Sequence, residues 1–338
     1  MKKVLFLTTA LAIWGCGNQS AYSSEVGKLS KEEARVLIDE QVADGLNTIR
    51  VINGSIPAAG SYDSIALLLS EADVSVDGGP AESRQLSICT GTLISPTAVL
   101  SAAHCVNEMI LKTAIEQAKG PDGKSLNARV IGPVRYFVTF ARSIAELKEN
   151  PELMLKVVRV DEHQDFALTK RPWVAFQANP GKWDDIAIVH LGIPVEDRRV
   201  QKLAAASQMS SQESNSGLGR VFAGYGISDE ADPTSAGILM EGTARIGKVG
   251  ANEFITAVDN TQHACRGDSG GPIYLDDTDD YQIGIASRVN KRIGLGDIFG
   301  GITGNIKVPS CKLGLVYTRV DAYLGWIKQR VPDFEIDF

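Results

Sequence analysis

All four histidines of this chain, His104, His163, His190 and His263, precede Ser269. Ser269 itself sits in Cys265-Arg266-Gly267-Asp268-Ser269-Gly270-Gly271-Pro272, where three glycines, a proline and a cysteine fall within eight residues. Such a composition specifies a tight loop and excludes a regular strand or helix. The glycines let a carbonyl oxygen approach the backbone N–H groups of Gly267 and Ser269, a donor pair suited to the oxyanion of an acyl-transfer intermediate. A serine nucleophile needs a base. An α/β-hydrolase runs serine, acid, histidine, so the order found here excludes that fold as the source of a triad and leaves the order histidine, aspartate, serine open. Gly-x-Ser-x-Gly by itself is equally compatible with a plain turn.

The other limits are set at the N-terminus and by the cysteines. Lys2 and Lys3 precede an apolar run, Val4 to Trp14, that is too short to span a bilayer as a mature helix. The run ends Ile13-Trp14-Gly15-Cys16, which resembles a bacterial lipobox, with Trp14 in place of the usual small residue. Residues 1–15 therefore read as a signal peptide and Cys16 as a lipidation site, and export to the cell envelope or the exterior is expected. Residues 16–50 read as a linker and pro-segment, in which the capping box Ser30-Lys31-Glu32-Glu33 and the stripe Ala34, Leu37, Ile38, Val42 predict a short amphipathic helix ending near Gly45. Five cysteines are an odd number for an exported chain. A lipid on Cys16 leaves Cys89, Cys105, Cys265 and Cys311, for which three pairings exist. The net charge is −7 and no basic block suggests nucleic acid as a partner. No motif calls for a cofactor or a metal, and the acidic run Asp276 to Asp280 reads as a solvated turn rather than a Ca²⁺ site.

From Ile65 onward, short apolar runs alternate with turn signals. Ile65 to Leu69, Ser87 to Ile94, Val99 to Ser101, Val134 to Phe140, Ile186 to Leu191, Val221 to Ala223 and Ile283 to Ser287 are predicted strands, in a spacing that suits an antiparallel β-barrel. Ser143 to Val157 is patterned as a helix interrupted by Pro151, and Asp321 to Arg330 as a terminal helix with Tyr323, Trp326, Ile327 and Arg330 at helical spacing.

Leu100-Ser101-Ala102-Ala103-His104-Cys105, Asp185-Ile186-Ala187-Ile188-Val189 and the Ser269 loop together resemble the trypsin/chymotrypsin-type serine proteases. The likeness also covers Cys89 to Cys105, Gly224-Tyr225-Gly226 and Val316-Tyr317-Thr318-Arg319-Val320, and runs from Val51 to about Val331. It implies an all-β fold of two six-stranded antiparallel barrels with the active site between them, closed by a C-terminal helix. It implies a protease domain over 51–338, with insertions near 107–172 and 290–309. The family's roles, carried over residue by residue, make His104 the general base, Asp185 its partner, Ser269 the nucleophile, and Gly267 and Ser269 the oxyanion donors. They pair Cys89 with Cys105 and Cys265 with Cys311. They also place an activating cleavage after Arg50, in Arg50-Val51-Ile52-Asn53-Gly54, so that the new α-amino group of Val51 folds inward onto Asp268. The resemblance thus implies protein or peptide substrates and an activating protease. Asp184 is expected to be a surface neighbour of Asp185, His163 a strand-end landmark, and His190 a packing or surface residue. The alternative reading is a protein of this fold that has weak activity and serves in binding or regulation.

The specificity pocket departs from the family's best-known members. Six residues before Ser269, where trypsin-like enzymes carry an aspartate, stands His263, followed by Ala264. The wall positions usually held by tryptophan and glycine fall on Arg288 and Val289, and Leu315, on the opposite wall, stands where glycine is frequent. A preference for Lys or Arg loses its counter-charge, and Val289 and Leu315 narrow the pocket toward small apolar side chains. A competing expectation is that His263, Arg266 and Arg288 attract an acidic residue.

Overall fold

The computed structural model describes residues 52–118, 124–166, 183–205, 219–229, 235–257, 261–275, 280–290 and 311–334. The lipobox, the pro-segment helix, Arg50, Val51 and almost all of the glycine-rich insertion after Asn290 lie outside them.

Six strands, β1 (Ile65–Ser75), β2 (Glu82–Ser95), β3 (Ala98–Ser101), β4 (Arg129–Thr139), β5 (Leu155–Glu162) and β6 (Ala187–Leu191), close a barrel in the order β1-β2-β3-β6-β5-β4. A second ring follows from β8 (Gly219–Gly224), β9 (Met240–Val249), β10 (Glu253–Thr256), β11 (Pro272–Tyr274), β12 (Tyr281–Val289) and β13 (Leu315–Arg319). It runs β11-β8-β9-β10-β13-β12 and is closed by antiparallel pairing of β11 with β12. The two-residue β7 (Lys202–Leu203) pairs with β12 in parallel. The chain is therefore the expected pair of six-stranded barrels.

Strand β1 explains how two barrels come to share one body. Its start, Ile65-Ala66-Leu67-Leu68-Leu69, is apolar without alternation, so it must be covered on both faces. Ala66 and Leu68 join the core of the first barrel, while Ile65, Leu67 and Leu69 pack with Val221, Ala223 and Tyr225 of the second. Strand β8 divides likewise, with Phe222 turned into the second barrel's own core beside Phe254 and Ile273. Successive side chains of a strand point to opposite faces, so each doubly buried strand glues one barrel to the other.

Four short α-helices, α1 (Ala103–Val106), α2 (Glu108–Glu116), α3 (Ile144–Glu149) and α4 (Leu324–Arg330), and 3₁₀ turns at Pro151–Leu153, Cys311–Leu313 and Asp321–Tyr323 complete the described chain. Asn107 ends α1 and begins α2, its Oδ1 accepting the N–H of Ile110 at 3.0 Å while its Nδ2 donates to Glu162 at 2.6 Å. Helix α2 covers an extension of β1, β2 and β4 through Leu111 and Ile115, which pack with Ala72, Val74 and Leu86. The helical pattern of Ser143 to Val157 is only half realised. Ser143 caps α3 by accepting from the N–H of Glu146 at 3.0 Å. The helix then stops at Asn150 (φ −130°, ψ 65°), one residue before Pro151, and Leu155 already belongs to β5. The expected terminal helix is a single 3₁₀ turn, Asp321–Tyr323, running into α4, whose Trp326 and Ile327 seal the first barrel.

Candidate active site

Three chain segments converge between the barrels. Helix α1, directly after β3, carries His104; the residues before β6 carry Asp185; and the loop before β11 carries Ser269. The N–H of His104 donates to Asp185 Oδ1 at 3.0 Å, and its ring Nδ1 to Asp185 Oδ2 at 2.8 Å. Both residues are buried. The double contact fixes backbone and ring together, and it leaves Nε2, which lies 3.7 Å from Cys105 Sγ, as the ring nitrogen that Asp185 does not hold. Asp185 also accepts from Ser287 Oγ at 2.6 Å, and its carbonyl from Thr318 Oγ1 at 3.0 Å. Burial works against ionisation of Asp185, but the His104 charge and the hydrogen bonds from His104 and Ser287 outweigh it and hold the carboxyl below its ordinary range.

The Ser269 loop is pressed against the turn that carries His104. A Cβ at Gly270 (φ +83°) would fall 2.1 Å from Ser101 Oγ and 3.0 Å from the Ala102 nitrogen, so only glycine fits. Gly267 takes φ +95° and has no room for a side chain either, since a Cβ would meet Gly226 Cα at 2.8 Å. Two disulfides, Cys89–Cys105 and Cys265–Cys311, brace the flanks. Cys89 and Cys105 lie with His104 in a tight group of ligand-type atoms, but both sulfurs are bonded to each other, so the group is no metal site.

Asp268 is buried, and its carboxylate occupies the space left by Gly224 and Gly226: a Cβ on either would approach one of its oxygens to 2.4 Å. Oδ1 accepts from the N–H of Gly226 at 2.8 Å and Oδ2 from that of Cys265 at 2.7 Å. Burial raises its pKa to about 7 against the pull of these two donors. The segment after Val51 already runs beside this loop. Ile52 forms a β-bridge with His263 and packs with Ile227, Cys265 and Cys311. Asn53 Nδ2 donates to the carbonyl of Thr261 at 2.9 Å, and Ser55 pairs with Glu241 through both backbone N–H groups, at 3.0 and 2.9 Å.

Of the residues expected to line a specificity pocket, His263, Ala264 and Leu315 are buried and Val289 is half-buried. Val289 and Leu315 are not on opposite walls. They are cross-strand partners on β12 and β13, so they act as one patch, with Ala264 in the same apolar cluster. Arg288 does not offer its charge to a substrate. Its guanidinium is buried, donates to both carboxylate oxygens of Glu253 at 2.8 and 2.9 Å, and lies over the Trp183 ring at 4.5 Å. A buried arginine requires such a match, and Glu253 supplies it. Asp184 is likewise no surface residue. It is buried at φ +52° and accepts from Tyr323 Oη at 2.8 Å. His163 meets the Tyr323 ring edge to face and the Trp326 ring at a tilt, and His190 pairs with Asp161 at 2.9 Å on the outside of the first barrel.

Comparison with known proteins agrees with this geometry. The trypsin family model matches residues 72–139 and 135–327. Mouse chymotrypsin-C is 27% identical over 256 residues, which cover 72% of this chain and 78% of that protein. Rat chymotrypsin-C is 26% identical over 257 residues, with the same coverage of 72% and 78%. The solved structure of HL collagenase superposes with a TM-score of 0.53 at 19% identity, covering 85% of this chain and all of that one, which is a likeness of fold. With the family model spanning most of the chain and both barrels in place, this protein belongs to the trypsin/chymotrypsin-type serine protease family.

Proposed function

We propose that the chain is a serine endopeptidase that works through an acyl-enzyme, with His104, Asp185 and Ser269 as its triad. The observation that carries this reading is the buried His104–Asp185 pair, joined by two hydrogen bonds of 3.0 and 2.8 Å, beside the loop of Ser269. Ser269 Oγ attacks the peptide carbonyl while His104 Nε2 takes its proton, and the oxyanion forms against the N–H groups of Gly267 and Ser269. Asp185 stabilises the imidazolium, which then gives its proton to the leaving amine. Water repeats the sequence to release the acid. The similarity to two chymotrypsin-C proteins supports peptides as the substrate class.

The enzyme is made as an exported precursor, with residues 1–15 as its signal and Cys16 as its lipid anchor, and it is activated by cleavage after Arg50. What supports the last step is the buried Asp268 carboxyl, raised to about 7, with Ile52 already docked on the neighbouring backbone. A carboxyl raised in this way contributes stability that is present below its unfolded value near pH 4 and lost as pH rises through about 7. An α-amino group from Val51 reverses that sign by pairing with the ionised form, so cleavage should stabilise the protein more at pH 8 than at pH 5. Arg50→Gln should keep the precursor uncut and about 10²–10³-fold less active, the scale of losing one oxyanion donor. Cleavage is checked by N-terminal sequencing and activity by peptide hydrolysis. Equal activity of the uncut variant would contradict activation at this bond.

The substrate side chain before the scissile bond is expected to be Ala, Val or another small apolar residue. The burial of His263 and the Val289–Leu315 patch support this, and the pairing of Arg288 with Glu253 removes one cation from the competing acidic preference. A peptide-library cleavage profile tests it, and a preference for Lys, Arg, Glu or Asp would overturn it.

A further inference from the structure

We infer that Thr90 is a positioning residue that clamps the oxyanion loop, an inference that rests on the protease reading above. Thr90 lies in β2 next to Cys89 and is wholly buried. Its backbone N–H donates to the carbonyl of Ser269 at 2.7 Å, and its Oγ1 donates to the carbonyl of Gly267 at 2.8 Å. One residue therefore grips the carbonyls of both residues whose N–H groups are assigned to the oxyanion. The same Oγ1 accepts from the N–H of Tyr225 at 3.0 Å, so the hydroxyl's donor and acceptor capacities are both used. Its carbonyl accepts from Ser101 Oγ at 2.8 Å, three residues before His104.

The consequence is mechanical. Gly267 sits at φ +95°, a conformation in which glycine has no side chain to hold the peptide plane. Thr90 fixes the peptide plane on the C-terminal side of Gly267 through its carbonyl, while the plane that carries the Gly267 N–H is held by Ile227, whose N–H donates to the Arg266 carbonyl at 2.7 Å. Tyr225 lies between Gly224 and Gly226, which cradle the Asp268 carboxylate, so the hydroxyl also ties this turn to the loop. A Cβ on Gly271 would meet Thr90 Cγ2 at 3.0 Å, so the methyl fills space against the loop as well. Valine keeps the shape and loses both hydrogen bonds, leaving the Gly267 carbonyl and the Tyr225 N–H buried without that partner. Serine keeps the hydroxyl and loses only the methyl.

The test compares wild type, Thr90→Val and Thr90→Ser after activation, by steady-state hydrolysis of one peptide and by amide hydrogen exchange across residues 265–270. Thr90→Val should lower kcat roughly 10–100-fold with KM changed less than about twofold, because the donors act on the transition state and not on the bound substrate. Its exchange at Arg266 to Asp268 should rise, while Thr90→Ser should stay within about threefold of wild type in kcat and match it in exchange. Unchanged kcat and exchange in Thr90→Val, or an equal fall in Thr90→Ser, would overturn the clamp. An inactive wild type would instead refute the protease reading, and the exchange comparison would still decide whether Thr90 holds the loop.

Discussion

Ser269→Ala should lower peptide hydrolysis roughly 10⁶-fold in kcat, with the thermal midpoint unchanged within error. The size follows from how the triad works as a unit. Without Oγ no acyl-enzyme forms, and the well-placed base has no proton to take. What remains is rate enhancement from binding and from the Gly267 and Ser269 N–H groups, which the substitution leaves in place. Folding should be indifferent, because Ser269 is half-exposed and its backbone carbonyl, the group that Thr90 holds at 2.7 Å, is kept. Hydrolysis within tenfold of wild type would remove Ser269 as nucleophile.

Asp185→Asn should lower kcat about 10⁴-fold near neutral pH, the size of loss seen for this change within the same family. The amide keeps the shape of the carboxylate, but it offers an N–H where His104 Nδ1 needs an acceptor. The ring then adopts the other tautomer, and Nε2 can no longer receive the serine proton. The same substitution should alter acid stability. The Asp185 carboxyl is held below its ordinary range, so its contribution is present above the unfolded pKa near 4 and lost as pH falls through the native value. The asparagine variant lacks that contribution. The stability gap to wild type should therefore be widest above pH 5 and close toward pH 2, which acid titration of the unfolding midpoint checks.

The parts of this structure that are legible in the sequence are those whose chemistry is local. The glycines around Ser269 have no alternative to a tight loop, and the Cys265-to-Pro272 run marks it without knowledge of any partner. The strands with compact apolar runs, such as β3 and β6, are equally plain. Strand β9 is not, because Met240-Glu-Gly-Thr-Ala-Arg-Ile-Gly-Lys-Val249 alternates small and charged residues around few large apolar ones, and it is a strand only because β8 and β10 pair with it.

Long-range partners account for the remaining departures. Asp184 reads as a surface acid, yet it lies buried under the Tyr323 hydroxyl, 139 residues away. Arg288 reads as a pocket cation until Glu253, 35 residues earlier, is seen to hold it. Thr90 carries no signal at all in the sequence, since a threonine in a strand is ordinary. Only the closeness of β2 to the loop, 177 residues later, makes it a candidate for control of the oxyanion.

The central claim is that Ser269 is a nucleophile activated by the His104–Asp185 pair, and covalent labelling addresses it most directly. Protein cut after Arg50 is treated with a fluorophosphonate and digested, and the site of modification is found by mass spectrometry. One adduct per chain on the peptide containing Ser269, absent from Ser269→Ala and strongly slowed in Asp185→Asn, is the expected result. No adduct on the wild type, or one that persists in Ser269→Ala, would contradict the assignment.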